Sequence, residues 1–99
     1  MARKIVWSIK AAVEKDDILR YWLDRNKSKS YPKKLNLLFH QATKWLSKNP
    51  YLGRRTSADH VRAKLVRDYF LFYTFDEKNI YVLTIWDARR NPDIIPFRA

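Results

Sequence analysis

The sequence predicts an α+β fold of order β-α-α-β-β-β, with two N-terminal helices packed on one face of a mainly antiparallel sheet, as a single domain over residues 1–99. Three observations carry this. Apolar side chains recur at helical spacing through residues 9–48, the period changes to two after His60, and no compositional break separates the halves. A chain of 99 residues, 46% of them hydrophobic, can build one core but not two.

Ile5, Trp7 and Ile9 alternate with Val6, Ser8 and Lys10, the pattern of a first strand whose end meets a candidate helix cap at Ser8. From about Ile9 to Arg25, the residues Ile9, Ala12, Leu19, Trp22 and Leu23 form one stripe without glycine or proline, which predicts a first helix. Asn26-Lys27-Ser28-Lys29-Ser30 is a polar connector, and Ser30 followed by Pro32 reads as the capped, proline-initiated start of a second helix. The stripe of that helix is Leu35, Leu38, Phe39, Ala42, Trp45 and Leu46. Asn49-Pro50 ends it, because a residue before proline is pushed out of helical backbone.

Tyr51 to His60 contains the only glycine, Gly53, and reads as a surface loop. Val61, Ala63 and Leu65 then alternate with Arg62 and Lys64, predicting a strand whose apolar residues face the core while the cations point away. Tyr69 to Phe75 and Ile80 to Trp86 are almost wholly apolar, and Asp76-Glu77-Lys78-Asn79 between them has turn chemistry, so they form a central hairpin. Asp87 to Ala99 gives a basic turn and a short apolar tail limited by Pro92 and Pro96.

Lysine and arginine outnumber aspartate and glutamate by 21 to 10, a net charge of +11 that favours RNA, DNA or an acidic protein as partner. The absence of cysteine excludes disulfides and thiolate metal sites and makes the cytoplasm the expected compartment. No apolar run approaches the roughly 20 residues of a membrane span, so no membrane partner is expected. His40 and His60 lack a ligand cluster, which argues against a metal. One glycine cannot make a glycine-rich phosphate loop, and no serine sits in a nucleophile elbow, so no cofactor is expected.

What remains is a set of cations: Arg54 and Arg55 in the loop, Arg62 and Lys64 on one strand face, Arg67 at a turn, and Arg89 and Arg90 after the last strand. They suggest a patch rather than a pocket. Sequence alone leaves open whether the Arg67 turn and the Arg89-Arg90 turn reach the same end of the sheet. Tyr69, Tyr73 and Tyr81 alternate along hairpin strands and read as packing residues, and Asp87 beside Arg89 as an ion-pair residue.

The segment Val61-Arg62-Ala63-Lys64-Leu65-Val66-Arg67-Asp68-Tyr69-Phe70-Leu71-Phe72-Tyr73-Thr74-Phe75, the strand Ile80-Tyr81-Val82-Leu83-Thr84-Ile85-Trp86 and the terminal Arg89-Arg90-Asn91-Pro92 resemble the C-terminal hairpin of RelE/ParE-superfamily toxins. Lys4-Ile5-Val6-Trp7-Ser8 before an alanine-containing helix resembles their opening. The resemblance implies the toxin of a type II toxin–antitoxin, or plasmid-stabilisation, pair, neutralised by a cognate acidic antitoxin. It also implies one of two targets: the ribosome and its mRNA, cut without a metal, or DNA gyrase, blocked without chemistry.

Metal-free RNA cleavage needs a base, an acid and cations around the phosphorane. Arg62 and Lys64 match a basic strand pair that the resemblance associates with such nucleases, and Arg90 matches their terminal arginine; these are the candidate catalytic residues. Arg54, Arg55, Arg67 and Arg89 are the candidate nucleic-acid contacts. Phe70 stands where the nucleases carry an arginine, and their terminal tyrosine or histidine has no counterpart. Three readings follow: a translation inhibitor bound to ribosome and mRNA, placed first by the Arg62-x-Lys64 pair; a gyrase inhibitor without catalytic activity; and a non-toxic basic nucleic-acid-binding domain.

Overall fold

In a computed structural model of the protein, residues 2–90 are described. The terminal Asn91-Pro92 pair and the apolar tail noted above lie outside them. Lys4–Trp7 forms β1, Ile9–Asn26 forms α1 and Ser30–Lys48 forms α2. A 3-10 turn at Pro50–Leu52 leads into β2 (Arg54–Arg55), followed by β3 (Arg62–Val66), β4 (Tyr69–Phe75) and β5 (Asn79–Asp87). The sheet has five strands in the order β1-β5-β4-β3-β2. β1 runs parallel to β5 and every other pair is antiparallel.

Ser8 is the α1 cap the sequence predicts: its Oγ accepts from the Ala11 amide at 3.0 Å. The same hydroxyl donates to the Leu83 carbonyl at 2.9 Å, so one side chain starts the helix and ties it to the sheet. α1 ends at Lys27, which takes the left-handed φ of 52° usually left to glycine. α2 departs from expectation at its start. Ser30 is its first helical residue rather than its cap, and the Ser28 hydroxyl accepts from the Ser30 amide at 3.2 Å.

The main core lies between the helices and one sheet face, where Ala11, Leu35 and Phe39 meet Val66, Tyr69, Leu71, Val82 and Ile85. Complete burial of Leu35 and Phe39 contributes about 1.5–3 kcal/mol each. Trp22 closes its upper edge by donating to the Tyr69 hydroxyl at 2.8 Å. Tyr73 and Leu46 extend the core under the C-terminal end of α2.

The hairpin register slips between Phe72 and Tyr73: Phe72 pairs with Thr84 but Tyr73 pairs with Val82, leaving Leu83 as a bulge. Beyond Val82, β1 no longer covers the β5 edge, because the chain turns into α1. Glu14 of α1 covers it instead. Its Oε1 accepts from the Thr84 hydroxyl at 2.7 Å and from the Ile85 amide at 3.2 Å. Two donors next to the bulge are thus satisfied from the helix.

Two expectations are corrected. Residues 51–60 are not only loop: Arg54 and Arg55 pair with Ala63 and Arg62 as a short edge strand, which adds a fourth strand after the helices. Charged residues there hid a strand that pairing, rather than apolar alternation, holds in place. The faces of β3 are also reversed. Arg62 and Lys64 share the helix-side face with Val66, while Val61 and Ala63 pack with Phe72 on the opposite face. Leu65 is exposed. Alternation identifies the two faces of a strand but not which face the helices cover.

Candidate functional site

The site is built where α2 stops short of the edge of β3. Past Ala42 and Leu46 the helix presents Trp45 outward, so its indole lies over the sheet margin instead of in the core. There Lys64 places its ammonium 4.7 Å from the Trp45 ring centroid. Two residues back on the same face, Arg62 lies 5.1 Å from the Tyr51 ring centroid. Its Nη1 donates to the Gly53 carbonyl at 2.8 Å and to the Tyr51 carbonyl at 3.3 Å. Tyr51 packs edge-on against Phe75, over which Arg3 sits at 5.5 Å. The result is a strip in which each cation rests on a ring: Lys64 on Trp45, Arg62 on Tyr51 and Arg3 on Phe75.

The turn beneath the strip is rigid for a local reason. The buried Tyr73 hydroxyl accepts from the Gly53 amide at 2.9 Å and donates to the Pro50 carbonyl at 2.6 Å. Burial pushes the Tyr73 phenol pKa up, opposed by the Gly53 amide and by Arg62. Any side chain at residue 53 would run into the Tyr73 ring, which explains the chain's only glycine; its backbone is extended and unstrained.

Arg55 is the direct cross-strand partner of Arg62, so two guanidiniums share one face. Like charges placed opposite each other are unfavourable. Among the described residues the ion pair recorded is Arg89–Asp87 at 2.9 Å, at the other end of the sheet, and no carboxylate answers this pair. Arg54, opposite Ala63, points to the other face.

Arg67 takes a φ of 56° in the β3–β4 turn, and the Ala88 amide donates to the Asp68 carbonyl at 2.7 Å. The Arg67 turn and the Arg89-Arg90 turn therefore meet at one end of the sheet, the point the sequence left open. Arg89 holds Asp87 through Nε and Nη2 and lies over Trp22; this pairing pulls the Asp87 carboxyl below its usual range. Arg90 lies over Trp86, on the face that carries Phe70 and Phe72. Arg62 and Lys64 are thus brought together, with Arg55, while Arg90 lies past the end of β5, at the Arg67 end of the sheet. Arg62 is also four residues, roughly 13 Å, down β3 from the Arg67 end.

A groove of about 340 Å³ runs beside the strip between Trp45 and residues 64–67, and a larger one of about 560 Å³ lies between α1 and the end of β5. The larger mixes Glu14, Asp17 and Asp87 with Arg89 and Arg90. Neither contains a histidine. His40 lies against Trp7, and burial, then Lys15, lowers its pKa. Among the described residues no three His, Asp or Glu side chains come together as metal ligands, and no helix is long and apolar enough to cross a membrane.

Sequence reasoning missed Tyr51, Phe75 and Arg3, and it placed Trp45 in the core stripe. Tyr51 had one signal, an aromatic residue between Pro50 and the only glycine in an otherwise polar segment. Trp45 had none, since its helical spacing matches that of the buried residues.

Fold and surface together define a class: a small basic α+β protein with two helices on one face of a mixed sheet and its strand cations laid over aromatic rings. The chain belongs to the ParE toxins, for the family model described as ParE toxin of type II toxin-antitoxin system, parDE, matches residues 5–92. A solved chain from the chromosomal ParDE toxin–antitoxin system of P. aeruginosa has the same fold, with a TM-score of 0.76, 18% identity, and coverage of 89% of this chain and 98% of that one. No curated protein matches the sequence.

Proposed function

We propose that this protein is the toxin of a two-component pair, neutralised by a cognate acidic antitoxin, and that it acts in the cytoplasm by binding DNA gyrase and blocking it without chemistry. Membership of the ParE family supports the toxin reading. The observation that carries the absence of chemistry is the separation of Arg62 from its expected catalytic partner. Arg90 lies over Trp86 beyond the end of β5, beside the Arg67 turn, and Arg62 is roughly 13 Å down β3 from that end. A phosphorane needs its cations and proton-transfer groups converging within hydrogen-bond reach. No histidine lies among the lining or ring partners of Arg62 and Lys64.

The test uses purified protein in two reactions. With gyrase and relaxed plasmid, supercoiling is expected to stop in proportion to added protein. In a coupled translation reaction, transcripts are expected to stay intact. Transcripts cut on translating ribosomes, with supercoiling unaffected, overturn this reading in favour of a ribosome-directed nuclease using Arg62 and Lys64. Harmless induction in cells, with gyrase untouched, would leave a basic binding domain. Co-expression of a small acidic protein from the adjacent reading frame is expected to restore growth.

A further inference from the structure

We infer that the strip Trp45–Lys64–Arg62–Tyr51, with Arg55 beside it, is a binding surface for single-stranded nucleic acid. This goes beyond the gyrase reading and does not depend on it. The two rings remain open although cations rest on them: Trp45 is 49% and Tyr51 66% exposed. Exposing two large rings is unfavourable in water, and they cluster on the same margin as three cations that, among the described residues, have no carboxylate partner.

Flat rings beside cations match the two repeating features of a single strand: a base face that stacks and a phosphate that needs a positive charge. Arg62 and Lys64 are two residues apart on one face, about 7 Å, a step an extended nucleotide can bridge. Arg62 is pre-positioned by the Gly53 and Tyr51 carbonyls, so little ordering is needed on binding. A phosphate between Arg55 and Arg62 would also relieve the like-charge pairing that the free protein carries. An acidic peptide would satisfy the cations but has no use for the open ring faces. A duplex hides its bases and offers only phosphates. Stacking and phosphate contacts use features that DNA and RNA share, so neither sugar is selected.

Fluorescence anisotropy with labelled oligo-dT, oligo-U and a duplex of equal length, on the purified full chain, tests this. The two single strands are expected to bind similarly and more tightly than the duplex, with affinity falling steeply as salt rises. Tyr51→Ala, at a mostly exposed position, is expected to weaken single-strand binding about fivefold to 150-fold, the value of one lost stacking contact. Tyr51→Phe keeps the ring and is expected to bind as the parent does. Arg55→Ala is expected to weaken binding more than the double change Lys33→Ala/Lys34→Ala on the exposed start of α2. Duplex bound as tightly as single strands overturns the inference. So does equal loss in the Arg55 and Lys33/Lys34 variants, which would mean a diffuse field of charge, or polyglutamate bound with the same dependence on Tyr51.

Discussion

The Tyr73 hydroxyl stands 2.9 Å from the Gly53 amide nitrogen, so a single buried ring sets the position of the turn that carries Tyr51 and opens into Arg54-Arg55. A methyl group at residue 53 would overlap that ring, coming within 2.6 Å of its Cε1. Gly53→Ala is therefore expected to destabilise the protein by about 1–3 kcal/mol, the usual cost of overpacking. Tyr73→Phe leaves the Gly53 amide and the Pro50 carbonyl without their buried partner, a cost of about 1–3 kcal/mol. Urea denaturation followed by tryptophan fluorescence measures both, and parent-like stability in Gly53→Ala would show that the contact does not constrain the turn.

Glu14 ties α1 to the bulge in β5. Glu14→Ala removes the acceptor for the Thr84 hydroxyl and the Ile85 amide and is expected to cost about 1–3 kcal/mol. Glu14→Gln keeps a carbonyl oxygen in place and is expected to lose clearly less. Hydrogen exchange at the Ile85 amide gives a local readout: it is expected to speed up in the alanine variant and to change little in the glutamine variant.

Lys27 holds a left-handed conformation after α1 at a site where a β-carbon is unfavourable. Lys27→Gly is expected to raise stability by about 1 kcal/mol, since the gain at a helix C-terminus exceeds glycine's added freedom in the unfolded chain. An unchanged or lower midpoint in thermal denaturation would contradict it.

Asp76 organises the β4–β5 turn. Its Oδ1 accepts from the Lys78 and Asn79 amides, both at 2.8 Å, and its Oδ2 from the Tyr81 hydroxyl at 2.9 Å. The Lys78 and Asn79 amides lower its pKa most, then Tyr81. A carboxyl with a lower pKa in the folded than in the unfolded state adds stability above the ordinary carboxylate range, and that stability is lost as pH falls through the folded value. Asp87, lowered by Arg89, acts in the same direction. Stability is expected to decline as the solution is taken from about pH 5 to pH 2, and Asp76→Asn is expected to flatten that decline. Equal slopes for parent and variant would remove Asp76 from the account.

Much of the fold was legible because helices and central strands announce themselves by period. The α2 stripe of Leu35, Phe39, Ala42 and Leu46 is buried as its spacing predicts, and Ser8 caps α1 where the strand pattern ends. The hairpin of Tyr69–Phe75 with Ile80–Trp86 lies within β4 and β5. The bulge at Leu83 was invisible, since nothing local marks a residue whose carbonyl accepts from Ser8, about seventy-five positions away.

By itself, the sequence determined both helices, the central hairpin, the buried stripe of α2, the excess of positive charge and the absence of thiol chemistry, because these follow from local periodicity and composition. Only the tertiary structure decided which face of β3 the helices cover, that residues 54 and 55 pair as a strand, and that Arg62 and Lys64 rest on Tyr51 and Trp45 while Arg90 rests on Trp86. Those outcomes depend on the register between segments distant in the chain. A one-residue shift in register exchanges the faces of a strand and leaves its composition unchanged.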